Sequence, residues 1–247
     1  MGGGVKIYKV AYLSKDDITG KVLLNIHAEN GYIVNSTYDD INVDTNNVLV
    51  SVGIGNSDTK FNSYSMEIPG AIPIPESITG DFTFSCWTKY SSRSGNGVCL
   101  QTYPNFNNWC IGYEFNDQNS GDKHHDAYIG QISGNFEHFK YITTMKYTWM
   151  HVAITKKDKV CYIFRDGELL LSGSVSDTFV TQLLANPQLS ASIEYYGDDI
   201  VVIKDQCLWT ENFAPPTEPL IGYNMEHNQI IWETSAYKQR FNKVKIY

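Results

Sequence analysis

The stretch from Asp198 to Thr217 constrains the fold more than any other part of this sequence. It opens with two acidic residues, Asp198 and Asp199, and continues with an Ile- and Val-rich run over 200–204. A short polar stretch and a Phe-x-Pro-Pro sequence come next. Proline has no amide hydrogen to donate, so neither a strand nor a helix continues through Pro215 and Pro216. The sequence therefore predicts a β-strand, after which the chain ends its domain near residue 220.

Several other segments alternate between apolar and polar residues, as half-buried β-strands do. The chain contains 17 Tyr, 11 Phe and 5 Trp, and aromatic residues favour strands. Asp166-Gly167 lies between two such segments and is typical of a two-residue type I′ turn. The nearest candidate for a helix, Thr178–Asn186, is short. The sequence thus predicts an all-β fold, a two-sheet antiparallel jelly-roll sandwich with short terminal extensions.

The same alternation predicts which side chains form the core of the sandwich. We expect one set of large apolar residues to lie between the two sheets. Its members are Phe82, Phe84, Val152, Ile154, Tyr162, Phe164 and Val201.

Several motifs occur in a fixed order along the chain. They are Lys21–His27, Lys60–Ile68, Gly80–Lys89, Trp149–Lys156, Tyr162–Leu169 and the stretch over 198–217. In this order they resemble the laminin-G-like, concanavalin A-like jelly rolls found in bacteriophage virion proteins. The resemblance covers about residues 20–222. It implies a jelly roll over 20–222, an N-terminal extension over 1–19 and a C-terminal extension strand within 223–247.

The resemblance also implies a function. It predicts a non-enzymatic structural component of a phage virion: a tail, baseplate, fibre-associated or capsid-decorating subunit that docks on other virion proteins or on copies of itself. Such a protein is made in the host cytoplasm, and we find no secretory signal at the N-terminus. The alternative hypothesis is a lectin module that binds host-surface glycans, since fold alone does not fix function.

The charge of the chain argues against two classes of partner. Nineteen basic residues stand against 27 acidic ones, which gives a net charge of −8. Because the chain has no run of Lys or Arg, it lacks the electrostatic pattern of a nucleic-acid-binding protein. It also has no apolar stretch near 18 residues, so we predict no membrane-spanning helix.

Catalytic motifs are missing from the sequence. The Glu-x-Asp-x-x-Glu strand of related glycoside hydrolases, which places two carboxylates on one face, does not occur. We interpret Asp198 and Asp199 as residues of a turn and strand entry. His27 and His151 match strand positions of the family and are interpreted as hydrogen-bonded structural histidines. The chain is therefore predicted not to be an enzyme.

Two segments have the composition of a sugar site, in which aromatic rings stand beside amide or other polar groups. In the first, over 101–109, the candidate residues are Tyr103, Phe106, Asn107 and Asn108. In the second, a predicted loop over 134–139, the candidates are Phe136 and His138.

No cofactor or metal site is predicted. The one metal considered is calcium, through oxygen ligands of a polar loop that contains Asp117, Asn119, Asp122 and Asp126, but their spacing is not that of an EF-hand. The cysteines are interpreted as reduced thiols, mostly buried, because their number is odd and no Cys-x-x-Cys occurs. They are Cys86, Cys99, Cys110, Cys161 and Cys207. In a hairpin turning near 105–108, Cys99 and Cys110 would be out of register.

Both ends of the chain carry strand-like runs of Val, Ile and Tyr interspersed with Lys. Extended segments of this kind can add to a sheet edge. We therefore predict that Ile7, Tyr8, Ile246 and Tyr247 contact another chain, or contact each other at an edge that such a chain covers.

Overall fold

The predicted strands form two antiparallel sheets in a computed structural model. The structure describes residues 21–29, 32–35, 60–61, 66–67, 72–74, 77–90, 95–102, 109–116, 124–131, 135–143, 148–177, 187–190, 195–221, 229–234 and 237–241. Its strands are β1 (Lys21–Glu29), β2 (Tyr32–Asn35), β3 (Met66–Glu67), β4 (Ile72–Pro73), β5 (Phe82–Tyr90), β6 (Gly95–Thr102), β7 (Trp109–Asn116), β8 (His124–Gln131), β9 (Asn135–Thr143), β10 (Met150–Lys157), β11 (Val160–Arg165), β12 (Glu168–Ser174), β13 (Pro187–Ser190), β14 (Tyr195–Lys204), β15 (Gln229–Thr234) and β16 (Tyr237–Phe241).

The larger sheet has ten strands and the smaller has six. Along the larger sheet the order is β12-β11-β10-β5-β14-β1-β2-β15-β16, and β3 also pairs with β14. The smaller sheet has the order β4-β13-β6-β7-β8-β9. Strands that are distant in sequence are neighbours in space, as in Greek-key sandwiches. The predicted all-β, two-sheet antiparallel sandwich is thus confirmed.

One face of the ten-stranded sheet packs on the six-stranded sheet. A Cβ atom on Gly173 of β12 would overlap the ring of His138 in β9. The register pairs Gly173 with Cys161, Cys161 with Lys156, and Lys156 with Phe82, so these positions share the face that meets β9. Phe84, Val152 and Ile154 lie on this inner face by alternation, and each of them is fully buried.

The opposite face of the large sheet is also covered, by residues 205–221, which we call the covering segment. Phe164 pairs with Ala153, and Val201 with Ser85. Both Phe164 and Val201 pack in one cluster with residues of the covering segment. The prediction that Tyr162, Phe164 and Val201 lie between the two sheets is therefore wrong. The register of the β10–β11 hairpin and of β14 directs these three residues to the outer face.

The C-terminal part of the chain continues the large sheet. β15 pairs with β2, and β16 pairs with β15. Both strands fall within the extension predicted over 223–247, while the division of the chain at 20–222 stays a prediction. Ile7, Tyr8, Ile246 and Tyr247 lie outside the described residues. Among the described residues, no helix is long and apolar enough to span a membrane.

The cysteines largely follow the sequence prediction. Among the described residues, Cys86 and Cys161 are buried and form no disulfide, and Cys207 is half-buried and forms none either. Burial raises the pKa of the Cys86 thiol, so this thiol stays protonated and unreactive. In the β6–β7 hairpin Cys99 faces Gly112 and Cys110 faces Gln101, which confirms that Cys99 and Cys110 are out of register.

Candidate functional site

The covering segment is attached to the turn between β11 and β12. Asp166 and Gly167 both have positive φ angles, 49° and 76°, as the predicted type I′ turn requires. The Phe213 amide donates to the Gly167 carbonyl at 3.0 Å. The Leu169 amide donates to Asn212 Oδ1 at 2.8 Å. The Asp-Gly-x-Leu and Asn-Phe-x-Pro-Pro motifs therefore form one hydrogen-bonded unit.

Aromatic rings meet around the side chain of His151 on the outer face. Trp209 and Phe213 of the covering segment stack with centroids 4.1 Å apart and an interplanar angle of 7°. Each of them presents its ring edge-on to the imidazole, at 5.9 and 5.7 Å. Trp87 from β5 lies 5.3 Å from the imidazole on the same face. Because these rings exclude water, they fix the protonation state of His151.

His151 is a neutral, structural histidine. Its Nε2 lies 2.8 Å from Ser85 Oγ on β5, and its backbone amide donates to Asp166 Oδ1 at 2.9 Å. Nδ1 is buried and has no hydrogen-bond partner among the described residues. Burial, with a smaller contribution from the Lys60 charge, lowers the pKa of His151 to about 3. The interpretation of this residue as a hydrogen-bonded core histidine is confirmed, while the side chain of His27 lies outside the described part.

Asp198 and Asp199 form a bulge inside β14 rather than a strand entry. The register against β5 shifts between Asp198 and Val201, and Asp199 has a φ of 49°. β14 begins at Tyr195, so the predicted entry position is wrong. A bulge accommodates one unpaired residue, and Asp tolerates the left-handed conformation better than most residues do.

Both carboxylates of the bulge accept backbone hydrogen bonds. The Asp199 amide donates to Asp198 Oδ1 at 2.9 Å. The Leu220 amide, at the end of the covering segment, donates to Asp199 Oδ2 at 2.9 Å. Asp199 is fully buried, and this burial raises the pKa of Asp199 to about 8. The bulge thus anchors the second end of the covering segment through a carboxyl group that is protonated at neutral pH.

Lys60 and Phe61 complete the cluster at its edge. Lys60 Nζ lies 3.4 Å from the centroid of the Trp87 ring, a cation–π contact. Phe61 meets Trp87 edge-on at 6.0 Å, and its amide donates to Asp198 Oδ2 at 3.4 Å. Burial lowers the pKa of Lys60, although the Asp166 and Asp198 carboxylates oppose this effect.

The motifs that resemble one family thus meet in one place. Lys60, Trp87, His151, Gly167 and Phe213 each come from a different motif, and they pack around one point on the outer face. These motifs therefore contain the residues by which the covering segment packs on the sheet. The sequence did not predict Ser85 or Lys60 as members of this cluster. Ser85 lies next to His151 only because the cross-strand register places it opposite Ala153. Lys60 is far from Trp87 in sequence and meets it only in the folded chain.

The arrangement has the elements of a nucleophile and a base but cannot act as one. A Ser–His distance of 2.8 Å falls within the range of nucleophilic catalysis. Ser85, His151 and Asp199 are nevertheless all fully buried, so no substrate atom reaches them. Their hydrogen bonds and ring contacts join β5, β10, the β11–β12 turn and the covering segment to one another.

The predicted sugar-binding residues have different outcomes. Tyr103, Phe106, Asn107 and Asn108 lie outside the described residues. The loop predicted over 134–139 is wrong from Asn135 onwards, because these residues belong to β9 and pair with β8. Gly134 lies outside the described residues. Phe136 lies in β9. His138 Nε2 donates to the Ser174 carbonyl at 2.9 Å, so His138 takes part in the contact between the two sheets. Their role in glycan binding stays a prediction.

The calcium hypothesis likewise stays a prediction. Asp126 lies in β8, while Asp117, Asn119 and Asp122 fall outside the described residues. Within the described part of the chain, no group of three or more His, Cys, Asp or Glu side chains is placed to hold a metal ion.

The shifted pKa values of Asp199 and His151 predict a pH range in which the free energy of unfolding changes little. The pKa of Asp199 is raised from 3.8 to about 8, so its contribution is complete below pH 3.8 and is lost as the pH rises towards 8. The pKa of His151 is lowered from 6.5 to about 3, so its contribution is complete above pH 6.5 and is lost as the pH falls towards 3. Between pH 3.8 and 6.5 the effects of the two residues on the free energy of unfolding have opposite signs and largely cancel. Between pH 6.5 and 8 only Asp199 makes this free energy depend on pH.

We therefore expect the free energy of unfolding to fall by about 2 kcal/mol between pH 6.5 and 8 because of Asp199. In the Asp199→Asn variant this fall should disappear, since Asn keeps the acceptor for the Leu220 amide and tolerates the positive φ. Urea unfolding at several pH values measures the effect. An equally steep fall in the variant would show that another group causes it.

Comparison with known proteins places the fold but not a family. No family model matches the chain, and no curated protein matches it. Solved structures similar to it include that of "Cell entry of botulinum neurotoxin type C is dependent upon interaction with two ganglioside molecules", with a TM-score of 0.50 at 13% identity. The binding domain of botulinum neurotoxin DC, solved with SialylT and with rat synaptotagmin II, gives the same two values. In each case 76% of this chain covers 49% of the other, so the chain spans about half the length of these structures.

Proposed function

We propose that this chain is a non-catalytic recognition module that binds carbohydrate. The observation that carries the proposal is that the side chains which could otherwise act in catalysis are buried inside the fold. Ser85, His151 and Asp199 lie behind the covering segment and are used by hydrogen bonds and packing within the fold. A sandwich whose reactive groups serve its own structure acts through its surface, by binding.

Carbohydrate is the ligand class that the comparisons favour. The neurotoxin structures that share the fold are described with ganglioside molecules or with SialylT. One of them is described with rat synaptotagmin II, a protein, so this sandwich also supports protein contacts. The composition of the segment over 101–109 adds rings and amides of the kind that sugar sites use.

Binding of the full chain to an array of neutral and sialylated glycans tests the proposal. We expect saturable binding to a defined subset, competed by the free oligosaccharide, with no release of reducing sugar after prolonged incubation. Heat-denatured chain is the control for non-specific adhesion. Absence of saturable binding to any glycan would contradict the carbohydrate assignment, and release of reducing sugar would contradict the non-catalytic one.

The second candidate function is a structural subunit of a phage virion, located in the particle and docked on other virion proteins or on further copies of this chain. The order of the motifs over 20–222 favours it. The addition of β15 and β16 to the large sheet is consistent with it, because a C-terminal extension that forms strands can also reach a neighbouring sheet. Detection of the chain in purified particles, in fixed stoichiometry with other virion proteins, would support this function over the first.

A further inference from the structure

Tyr162 occupies a distinct position on the outer face of the large sheet. The register places it beside Thr155 on β10 and Ser172 on β12. Thr155 is buried, and its Oγ1 donates to the Trp209 carbonyl at 2.6 Å. Ser172 on the other side is exposed, and Tyr162 itself is only half-buried. The boundary between the covered and the open part of the outer face therefore runs along Tyr162.

The ring of Tyr162 is held in place from one side. It lies nearly parallel to the ring of Phe164, with an interplanar angle of 17° and centroids 6.4 Å apart. Together with Leu169 and Leu208 it packs against the buried outer cluster. An aromatic ring whose rotamer is already fixed loses little conformational entropy when a ligand stacks on it.

Exposed polar residues share the open part of the outer face with Tyr162. Ser172 and Ser174 on β12 and Lys157 on β10 belong to the same face by register and alternation, and all three are exposed. Asp158 is also exposed and directly follows Lys157 in the turn between β10 and β11. Burial raises the pKa of Tyr162, and Cys207, Asp158 and Cys161 add to this effect in that order. The Asp158 amide donates to Asp81 Oδ1 at 2.7 Å, which fixes this turn.

We propose that Tyr162, with Lys157, Asp158, Ser172 and Ser174, forms a saccharide-binding patch in which the C–H face of a pyranose stacks on the Tyr162 ring. This proposal rests on the carbohydrate-binding function proposed above and gives that function a location. The Asp158 carboxylate accepts hydrogen bonds from sugar hydroxyls, the two serines exchange hydrogen bonds with them, and Lys157 donates to ring or hydroxyl oxygens.

The dimensions and chemistry of the patch favour a sugar over a protein. It offers one aromatic ring bordered by hydroxyl, carboxylate and ammonium groups. A stable protein interface buries about 800 Å² on each partner around a largely apolar centre. One half-buried ring with a charged border matches one or two sugar residues instead, for which an apolar face and a few placed polar groups suffice.

The test uses the full chain and an oligosaccharide selected from the glycan array, with affinities measured by calorimetry. Tyr162→Ala should weaken binding about tenfold or more, while Tyr162→Phe, which keeps the stacking face, should stay within about threefold. Asp158→Asn, at a turn position where φ is 53° and Asn is tolerated, should weaken binding without lowering thermal stability. Glu218→Ala, at an exposed position of the covering segment outside the patch, is the control and should bind as the unaltered chain does.

The outcomes separate the two proposals. If the unaltered chain binds the oligosaccharide and both Tyr162→Ala and Asp158→Asn bind it equally well, the patch is not the site, although the chain still recognises sugar. If the unaltered chain binds no glycan, the proposed function and the patch fail together. Self-association of the chain that Tyr162→Ala abolishes would assign the patch to a second copy and would also overturn the proposal.

Discussion

Replacing Phe84 by alanine is expected to lower the free energy of unfolding by about 3–5 kcal/mol, the range for removing a large side chain from a packed core. Phe84 is fully buried at the centre of β5. It pairs with Ile154 on one side and with Val202 on the other. Because both neighbours belong to the same rigid sheet, the cavity cannot collapse. Urea unfolding followed by circular dichroism measures the loss.

A second variant tests whether the outer face of the large sheet excludes water as well as the inner face does. Phe164 lies on the opposite face, 5.3 Å from Phe213 of the covering segment. Phe164→Ala should therefore cost nearly as much as Phe84→Ala, whereas Thr210→Ala, at an exposed position of the covering segment, should change stability by less than about 0.5 kcal/mol. A small loss for Phe164→Ala would mean that the covering segment does not exclude water from this face.

The sequence predicts the strands well but not the assignment of their faces. Alternation divides β11 into two sets, Cys161 and Ile163 on one side and Tyr162 and Phe164 on the other. It does not reveal which set meets the second sheet. In a two-layer sandwich the more aromatic set is the natural choice for the core. Here the covering segment buries the outer face as well, so hydrophobicity alone cannot distinguish the two faces.

The candidate site is less predictable than the fold, for a related reason. The contact of His151 with Ser85 depends on cross-strand register, which a single sequence does not encode locally. The partly exposed state of Tyr162 depends on where the covering segment leaves the outer face. The aromatic residues that composition favoured, such as Tyr103 and Phe106, lie outside the described residues. Composition therefore identifies residue types that suit a sugar site. Which residues of those types are exposed depends on the packing of the folded chain.

Replacing Gly167 by alanine is expected to destabilise the fold by about 2–4 kcal/mol, because two effects combine at one residue. Its φ of 76° is a left-handed conformation, which costs an L-residue roughly 1–2 kcal/mol. A Cβ atom there would also overlap the carbonyl oxygen of Phe213. Relief of that overlap moves the backbone of the covering segment and breaks the bond from the Phe213 amide to the Gly167 carbonyl. Near-ultraviolet circular dichroism should report the disturbed stacking of Phe213 on Trp209.

Two further variants separate these effects. Gly167→Asn introduces a residue that tolerates positive φ but carries a Cβ. It should therefore be less stable than the unaltered chain if the overlap with Phe213 dominates. Glu168→Ala changes the next residue of the same turn, which is exposed, and should have almost no effect. If Gly167→Asn were as stable as the unaltered chain, the conformational cost alone would explain the alanine variant. The covering segment would then be free to move away from the turn, and its close contact with Gly167 would not be needed to hold it on the sheet.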